Sequence, residues 1–148
     1  MFEASESVVL PRPPADVYAF LANVENDVKF RKDILESRWT SPPGSTPVGR
    51  TFEHTLRFMG RSVQKARIGR VEPGKLIEVE YLTGGVRPVY TMTVEPAPGN
   101  STRVTHTARV KIHGWLRLME PMMPREAKKR LSRDYAFLKA EMEAGRLP

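Results

Sequence analysis

The sequence predicts an α+β domain in which a curved antiparallel sheet of about six to seven strands packs against one long C-terminal helix. Three observations support this fold class. Residues 50–112 contain segments in which apolar and polar residues alternate, turns rich in glycine and proline separate these segments, and a long amphipathic segment follows them. The 148 residues are enough to build one core, so we expect residues 1–148 to form a single domain.

The first 50 residues predict one strand and two short helices, followed by a second strand. Residues 2–10 alternate loosely and form the first predicted strand, which a proline-rich stretch ends. Residues 15–24 carry apolar side chains at spacings of three and four, the pattern of an amphipathic helix. Residues 25–31 predict a second short helical segment, and residues 34–40 return to an extended strand. A loop rich in proline and glycine follows at residues 41–49.

The remaining elements are a series of hairpin strands and a terminal helix. Residues 115–123 are apolar and rich in methionine, with prolines that interrupt a regular helix. The last segment, residues 125–144, places Leu131, Tyr135 and Leu138 on one ridge. Twenty helical residues span about 30 Å, which is enough to cross a sheet of this size. The predicted hairpin strands are residues 50–59, 62–71, 76–82, 87–94 and 101–112.

Two predicted strands place a histidine among apolar neighbours. His54 shares one side of its strand with Phe52, Leu56 and Phe58, and His106 shares a side with apolar residues of the last strand. Successive side chains of a strand point to opposite faces, so both imidazoles should face the inner side of one sheet. Burying a polar group without a partner is costly. A sheet that turns two histidines toward its inner face is therefore predicted to enclose a pocket.

The two histidines are the candidate catalytic residues. A neutral imidazole both donates and accepts hydrogen bonds near neutral pH, so His54 or His106 could move a proton on a carbonyl substrate. The alternative is a structural histidine that is hydrogen-bonded to backbone or tyrosine in an ordinary core. The residues leave both explanations open. A metal site is not predicted, because two histidines on separate strands lack a clear third ligand.

Further candidates for the pocket lining are aromatic residues and methionines on apolar faces. Tyr81 and Tyr90 combine an apolar body with a polar tip, which suits the orientation of a mainly apolar ligand. Methionines in the segment before the long helix adapt to irregular shapes and would form a pocket mouth or floor. Plain core packing is the alternative for each of them. The predicted ligand-binding residues are Trp39, Phe52, His54, Leu56, Phe58, Tyr81, Tyr90, Met92, His106, Trp115, Met119 and Met123.

Composition and motifs exclude several classes of function. The chain has no cysteine, which excludes disulfides, thiolate catalysis and cysteine-based metal sites. The N-terminal residues are acidic where a secretory signal would be basic, and no apolar run reaches membrane-spanning length, so we expect a cytoplasmic protein. No Ser-His-Asp order, phosphate-binding loop or nucleotide fingerprint is present, and no cofactor is predicted.

The net charge of +7 requires that nucleic acid and anionic membranes be considered as partners. The bases are spread along the chain, and no helix-turn-helix, zinc-finger or RNA-binding motif accompanies them. Nucleic acid is therefore not an expected partner, and solvated faces explain most of the charge. Docking of the last helix on anionic lipid or nucleic acid remains an alternative. It would use the local cluster Arg125, Lys128, Lys129, Arg130 and Arg133.

Four stretches resemble a known family. The matching stretches are residues 9–26, the Gly-x-x-Phe strand entry at 48–52, the Glu-Pro turn at 71–77 and the terminal helix at 131–142. They are similar to the polyketide cyclase/dehydrase branch of a superfamily (SRPBCC). This superfamily also includes START domains and pollen-allergen-like ligand carriers. The resemblance covers essentially the whole chain. It implies a helix-grip fold, in which the curved sheet wraps around the C-terminal helix and leaves a cavity.

The resemblance also implies a small hydrophobic ligand, but it leaves the function open because one fold hosts many functions. Simple binding of such a ligand is our first hypothesis. The first alternative is a cyclase or dehydratase that uses a pocket histidine as acid or base, and the second is the surface binding described above. We expect a monomer or a homodimer, and peripheral membrane contact is left open.

Overall fold

The computed structural model describes residues 1–42, 44, 46–57 and 60–148. In these residues the order is a strand, a helix, a short 3-10 helix, six strands, a second 3-10 helix and a long helix. The 3-10 helices are Val24–Lys29 and Gly114–Met122. The other elements are β1 Phe2–Leu10, α1 Pro14–Ala22, β2 Ile34–Trp39, β3 Thr51–Arg57, β4 Arg61–Glu72, β5 Leu76–Tyr81, β6 Val86–Ala97, β7 Ser101–Ile112 and α2 Met123–Glu143.

The described strands form one antiparallel sheet in the order β1-β7-β6-β5-β4-β3-β2. Strands that follow one another from β2 to β7 are neighbours, as in a chain of hairpins, and β1 closes the far edge by pairing with β7. This architecture confirms the predicted helix-grip fold. The predicted bounds differ most at β6, which begins one residue earlier and ends three residues later because its pairing with β7 continues to the turn at Gly99 and Asn100.

The two helices begin at prolines, which have no backbone N–H to leave unpaired in the first turn. Pro14 is the first residue of α1, and Pro124 lies in the first turn of α2. The long helix therefore starts at Met123, two residues before the predicted start. Between α1 and β2, the Asn23 side chain accepts a hydrogen bond from Glu25 N at 3.2 Å and caps the short 3-10 helix.

The C-terminal half of α2 packs on the concave face of the sheet. Tyr135, Leu138 and Met142 are almost fully buried there, at spacings of three and four that place them on one helical face. They belong to the main hydrophobic core. A second, smaller cluster of Ala108 and Val110 with Ile112 lies further along β7, near the N-terminal half of α2. The buried residues of α2 thus lie from Leu131 onward, and Met123 at the start of the helix packs against the smaller cluster.

In the described part of the chain, every helix is too short or too polar to span a lipid bilayer.

Candidate ligand-binding cavity

A cavity of about 520 Å³ lies between the concave face of the sheet and the N-terminal half of α2. This volume is within the range of small-molecule sites. Its walls are mainly apolar, and three parts of the fold supply them. The sheet contributes Leu56, Val86, Pro88, Ala108 and Val110, α2 contributes Met123, Ala127 and Leu131, and the 3-10 helix before α2 contributes Trp115, Leu116, Met119 and Met122.

The 3-10 helix Gly114–Met122 forms the mouth of this cavity. Trp115 and Met122 line the cavity although their side chains are mostly exposed. Leu116 holds the segment to the hairpin between β5 and β6, where its Cδ1 lies only 2.6 Å from the position that a Cβ on Gly85 would occupy. The backbone N–H of His113 donates to Gly85 O at 2.8 Å and fixes the same junction. A side chain at position 85 would therefore displace the end of the Leu116 side chain from this junction.

Polar side chains reach the cavity from the segment just before β2, from β3, β4, β5 and β6, and from α2. Tyr81 and Tyr90 contribute part of the wall, and the Arg31 guanidinium lies over the Tyr90 ring with its Cζ 4.7 Å from the ring centroid. Arg31 directly follows the buried Phe30, whose ring packs against Tyr135 and anchors this stretch of chain. Asp134 also lines the cavity and is 4% exposed. An apolar pocket with a small number of oriented polar groups is typical of a binding site.

His54 is buried beside the cavity and bonded to one of its tyrosines. Its Nδ1 shares a hydrogen bond of 2.5 Å with the Tyr81 hydroxyl. Its Nε2 lies 3.1 Å from Asp27 Oδ2, which is close enough for an ion pair but lacks the geometry of a hydrogen bond. The ring is 1% exposed and does not contribute to the cavity wall.

His106 has a similar arrangement with the helix. Its Nδ1 shares a hydrogen bond of 2.7 Å with the Tyr135 hydroxyl, and its Nε2 has no hydrogen-bond partner. Burial, and after it the positive charge of Arg31, hold the pKa of His106 well below its usual range. His106 is therefore neutral in the folded protein at pH 7. Its ring is 1% exposed and also lies outside the cavity wall.

Both histidines belong to a continuous row of aromatic rings across the sheet. Consecutive ring centroids lie 4.9 to 5.7 Å apart, in tilted or edge-to-face contact. Ala66 on β4 pairs with both Phe52 and Tyr81, and its small side chain leaves room for the rings of β3 and β5 to meet. In order, the row consists of Trp39, Phe52, His54, Tyr81, Tyr90, His106, Tyr135 and Phe30.

The predicted site residues divide into three groups. Phe58 lies outside the described residues. Those that line the cavity are Leu56, Tyr81, Tyr90, Trp115, Met119 and Met123. Those that lie in the surrounding core instead are Trp39, Phe52, His54, Met92 and His106.

The expectation that both imidazoles open into the pocket therefore needs correction. Alternation along a strand predicts which face a side chain takes, and both rings are on the inner face as expected. Alternation does not predict how deeply a side chain is buried beneath its neighbours. The tyrosines that bond Nδ1 of each ring come from β5 and α2, which are distant in sequence, and neither ring is part of the cavity wall.

Sequence reasoning missed the charged lining residues Arg31 and Asp134. Arg31 lies in a run of charged residues that has the pattern of a solvated turn, but it follows the buried Phe30 and its guanidinium lies over the Tyr90 ring. For Asp134 a signal was present. It is three residues after Leu131 and four before Leu138, so helical spacing places it on the buried face.

The predicted basic cluster on α2 is largely engaged within the protein. Arg130 and Arg133 each form an ion pair with Asp33, at 3.4 and 3.2 Å. Arg133 also pairs with Asp134 at 3.0 Å, and Lys128 Nζ donates to Ser5 O at 2.9 Å. These contacts leave fewer free charges for an anionic surface than the sequence suggests. In residues 1–42, 44, 46–57 and 60–148, no three His, Cys, Asp or Glu side chains are clustered as a metal ion would require.

The depressed pKa of His106 predicts that stability depends on pH. In the unfolded chain this histidine takes up a proton below about pH 6.5, whereas in the folded protein it stays neutral. Below this pH the unfolded state binds more protons than the folded state. The free energy of unfolding therefore has its full value above about pH 6.5 and falls as the pH is lowered. One such group contributes a slope of at most about 1.4 kcal/mol per pH unit.

Urea unfolding between pH 5 and 7.5 measures this slope. We expect His106→Gln to flatten it and His113→Gln, a change at an exposed histidine, to preserve it. Equal slopes in the wild type and in His106→Gln would contradict the assignment.

Residues 1–143 match the family model described as polyketide cyclase/dehydrase and lipid transport. The chain belongs to this family. Its fold agrees with that membership, since seven antiparallel strands in the described residues curve around a long C-terminal helix. The family description covers both cyclases or dehydrases and lipid transport, so it permits ligand binding or a cyclase role without choosing between them. None of the curated proteins searched matches the sequence.

Solved structures with the same fold cover nearly the whole chain. A START superfamily protein from Mycobacterium smegmatis is 13% identical with a TM-score of 0.79, over 96% of this chain and 97% of that one. A protein from Thermus thermophilus is 16% identical with a TM-score of 0.76, over 99% and 100%. The di-domain ARO/CYC protein BexL is 16% identical with a TM-score of 0.72, and all of this chain matches 48% of it. At these identities the likeness supports the family's fold and no finer property.

Proposed function

We propose that this protein binds a small, mainly hydrophobic organic molecule in the cavity between the sheet and α2. The observation that carries the proposal is the cavity itself, about 520 Å³ with mainly apolar walls and a minority of polar groups. Each Å² of apolar surface that the ligand buries contributes about 25 cal/mol before the costs of association are subtracted.

Ligand binding is favoured over acid-base catalysis by the histidines. A general acid or base must come within hydrogen-bond distance of the atom it protonates or deprotonates, directly or through one water. His54 and His106 each have Nδ1 engaged by a tyrosine, and neither forms part of the cavity wall. Their arrangement supports a structural role, in which they hold the aromatic row whose members Tyr81 and Tyr90 form part of the cavity wall.

The ligand enters, in this proposal, through the mouth at Gly114–Met122. Short 3-10 helices have poorer hydrogen-bond geometry than α-helices and unfold locally at less cost. Pro121 lies inside this segment and removes one further donor. Leu118 and Met122 are 85% and 68% exposed, so the segment buries little apolar surface that would oppose opening.

Titration with the neutral hydrophobic dye N-phenyl-1-naphthylamine tests the proposal. We expect a saturable rise in fluorescence with one dye per chain, and a concentration-dependent increase in melting temperature because the dye binds the folded state. Dye that binds without saturation, or not at all, would contradict it.

A further inference from the structure

Arg31 is a cation at the cavity wall without an acidic partner. Its Nε is buried and has no hydrogen-bond partner. In the described part of the chain, no carboxylate forms an ion pair with its guanidinium. The side chain lines the cavity and lies over the face of Tyr90. Cation and ring attract each other, and a hydrogen bond with the Tyr90 side chain adds to this contact, but the Arg31 Nε–H has no partner.

The nearest acids are engaged elsewhere. Asp27 Oδ2 lies against His54 Nε2, at 3.1 Å. Asp33 is shared by Arg130 and Arg133. Asp134 Oδ1 accepts from Arg133 Nε at 3.0 Å and from the backbone N–H of Lys32 at 3.3 Å. The two aspartates that line the cavity, Asp33 and Asp134, therefore pair with arginines of α2 and form no ion pair with Arg31.

An arginine that is buried without a paired acid does not become neutral by losing its proton. Burial opposes the charge of Arg31, but its interactions with Tyr90, Tyr81 and Asp27 keep the pKa of the guanidinium above its ordinary value. A buried charge without a counter-charge is costly. The planar fork of N–H donors matches a carboxylate, with two parallel hydrogen bonds.

We infer that the ligand is an amphipathic acid, a mainly apolar molecule whose single carboxylate pairs with Arg31. This inference rests on the proposed function, since it identifies the chemical class of the ligand in the same cavity. Tyr90, under the guanidinium, pairs with Ala108, four residues along β7 from Ile112 at the mouth. Four strand residues span about 13 Å. The carboxylate lies at the inner end of that distance, and the apolar body extends toward Trp115 and Met122.

Displacement of N-phenyl-1-naphthylamine by decanoic acid and by decanamide tests the inference, because the two competitors have nearly the same shape and differ in charge at pH 7.5. We expect the wild type to bind the acid about tenfold or more tightly than the amide, as a charge-assisted pair provides. Arg31→Met should abolish the preference. Arg103→Met should retain it, since Arg103 is exposed on the opposite face of the sheet.

Each outcome decides one of the two proposals. Dye that binds saturably but is displaced equally by acid and amide, or an Arg31→Met variant that keeps the preference, overturns the inference and leaves the cavity as a binding site. Dye that does not bind saturably overturns both. If Arg31→Met fails to fold by circular dichroism, the comparison of acid with amide on the wild type alone decides the matter.

Discussion

Replacing Ala108 with phenylalanine is expected to abolish binding of the hydrophobic dye while the protein stays folded. Ala108 is 3% exposed on β7 and forms part of the cavity wall. A benzyl group at this position would project into the space that a ligand needs. Overpacking a filled core costs about 1–3 kcal/mol, and an open cavity keeps the loss at the lower end of that range. Dye titration and thermal unfolding measure the two effects.

The control for this change is Ala136→Phe, which introduces the same side chain on the exposed face of α2. It should leave dye affinity unchanged. Ala127→Trp provides a second obstruction from the helix side of the cavity, because Ala127 lines it opposite the sheet. Unchanged affinity in both Ala108→Phe and Ala127→Trp would show that the dye binds elsewhere.

Replacing Leu138 with alanine is expected to lower the free energy of unfolding by about 2–5 kcal/mol. Leu138 is fully buried where α2 packs on the sheet, and truncation leaves a void that neighbouring rings cannot fill. This is a large share of the stability of a domain of this size. Urea unfolding followed by circular dichroism measures the loss.

Leu118→Ala is the matched control because Leu118 is 85% exposed in the 3-10 helix. The same truncation there should change the free energy of unfolding by less than about 0.5 kcal/mol. Similar losses at positions 118 and 138 would contradict the view that α2 is anchored by its C-terminal half. Together, the two leucines distinguish the anchored part of α2 from the exposed 3-10 helix that precedes it.

The fold could be predicted because it depends on local patterns. Alternation along residues 101–112 predicts β7 with its bounds, and glycines and prolines mark the hairpin turns. The spacing of Leu131, Tyr135 and Leu138 predicts the buried face of α2. The mouth was also predictable in part, since Trp115 and Met119 lie in an apolar segment that prolines keep from forming a regular helix.

The depth and the partners of polar groups could not be predicted in the same way. His106 is hydrogen-bonded to Tyr135, 29 residues away, and His54 to Tyr81, 27 residues away. Whether a polar side chain on the inner face meets a cavity or a hydrogen-bond partner depends on such distant contacts. Arg31 illustrates the opposite case, because nothing in its charged run predicts burial, whereas its side chain lies at the cavity wall next to the buried Phe30.

The central claim is that the cavity between sheet and helix holds one small apolar molecule, and native mass spectrometry tests it most directly. Wild-type protein incubated with N-phenyl-1-naphthylamine should carry one dye molecule per chain, and Ala108→Phe under the same conditions should carry none. Equal occupancy of the two proteins, or bare chains in both, would contradict the claim.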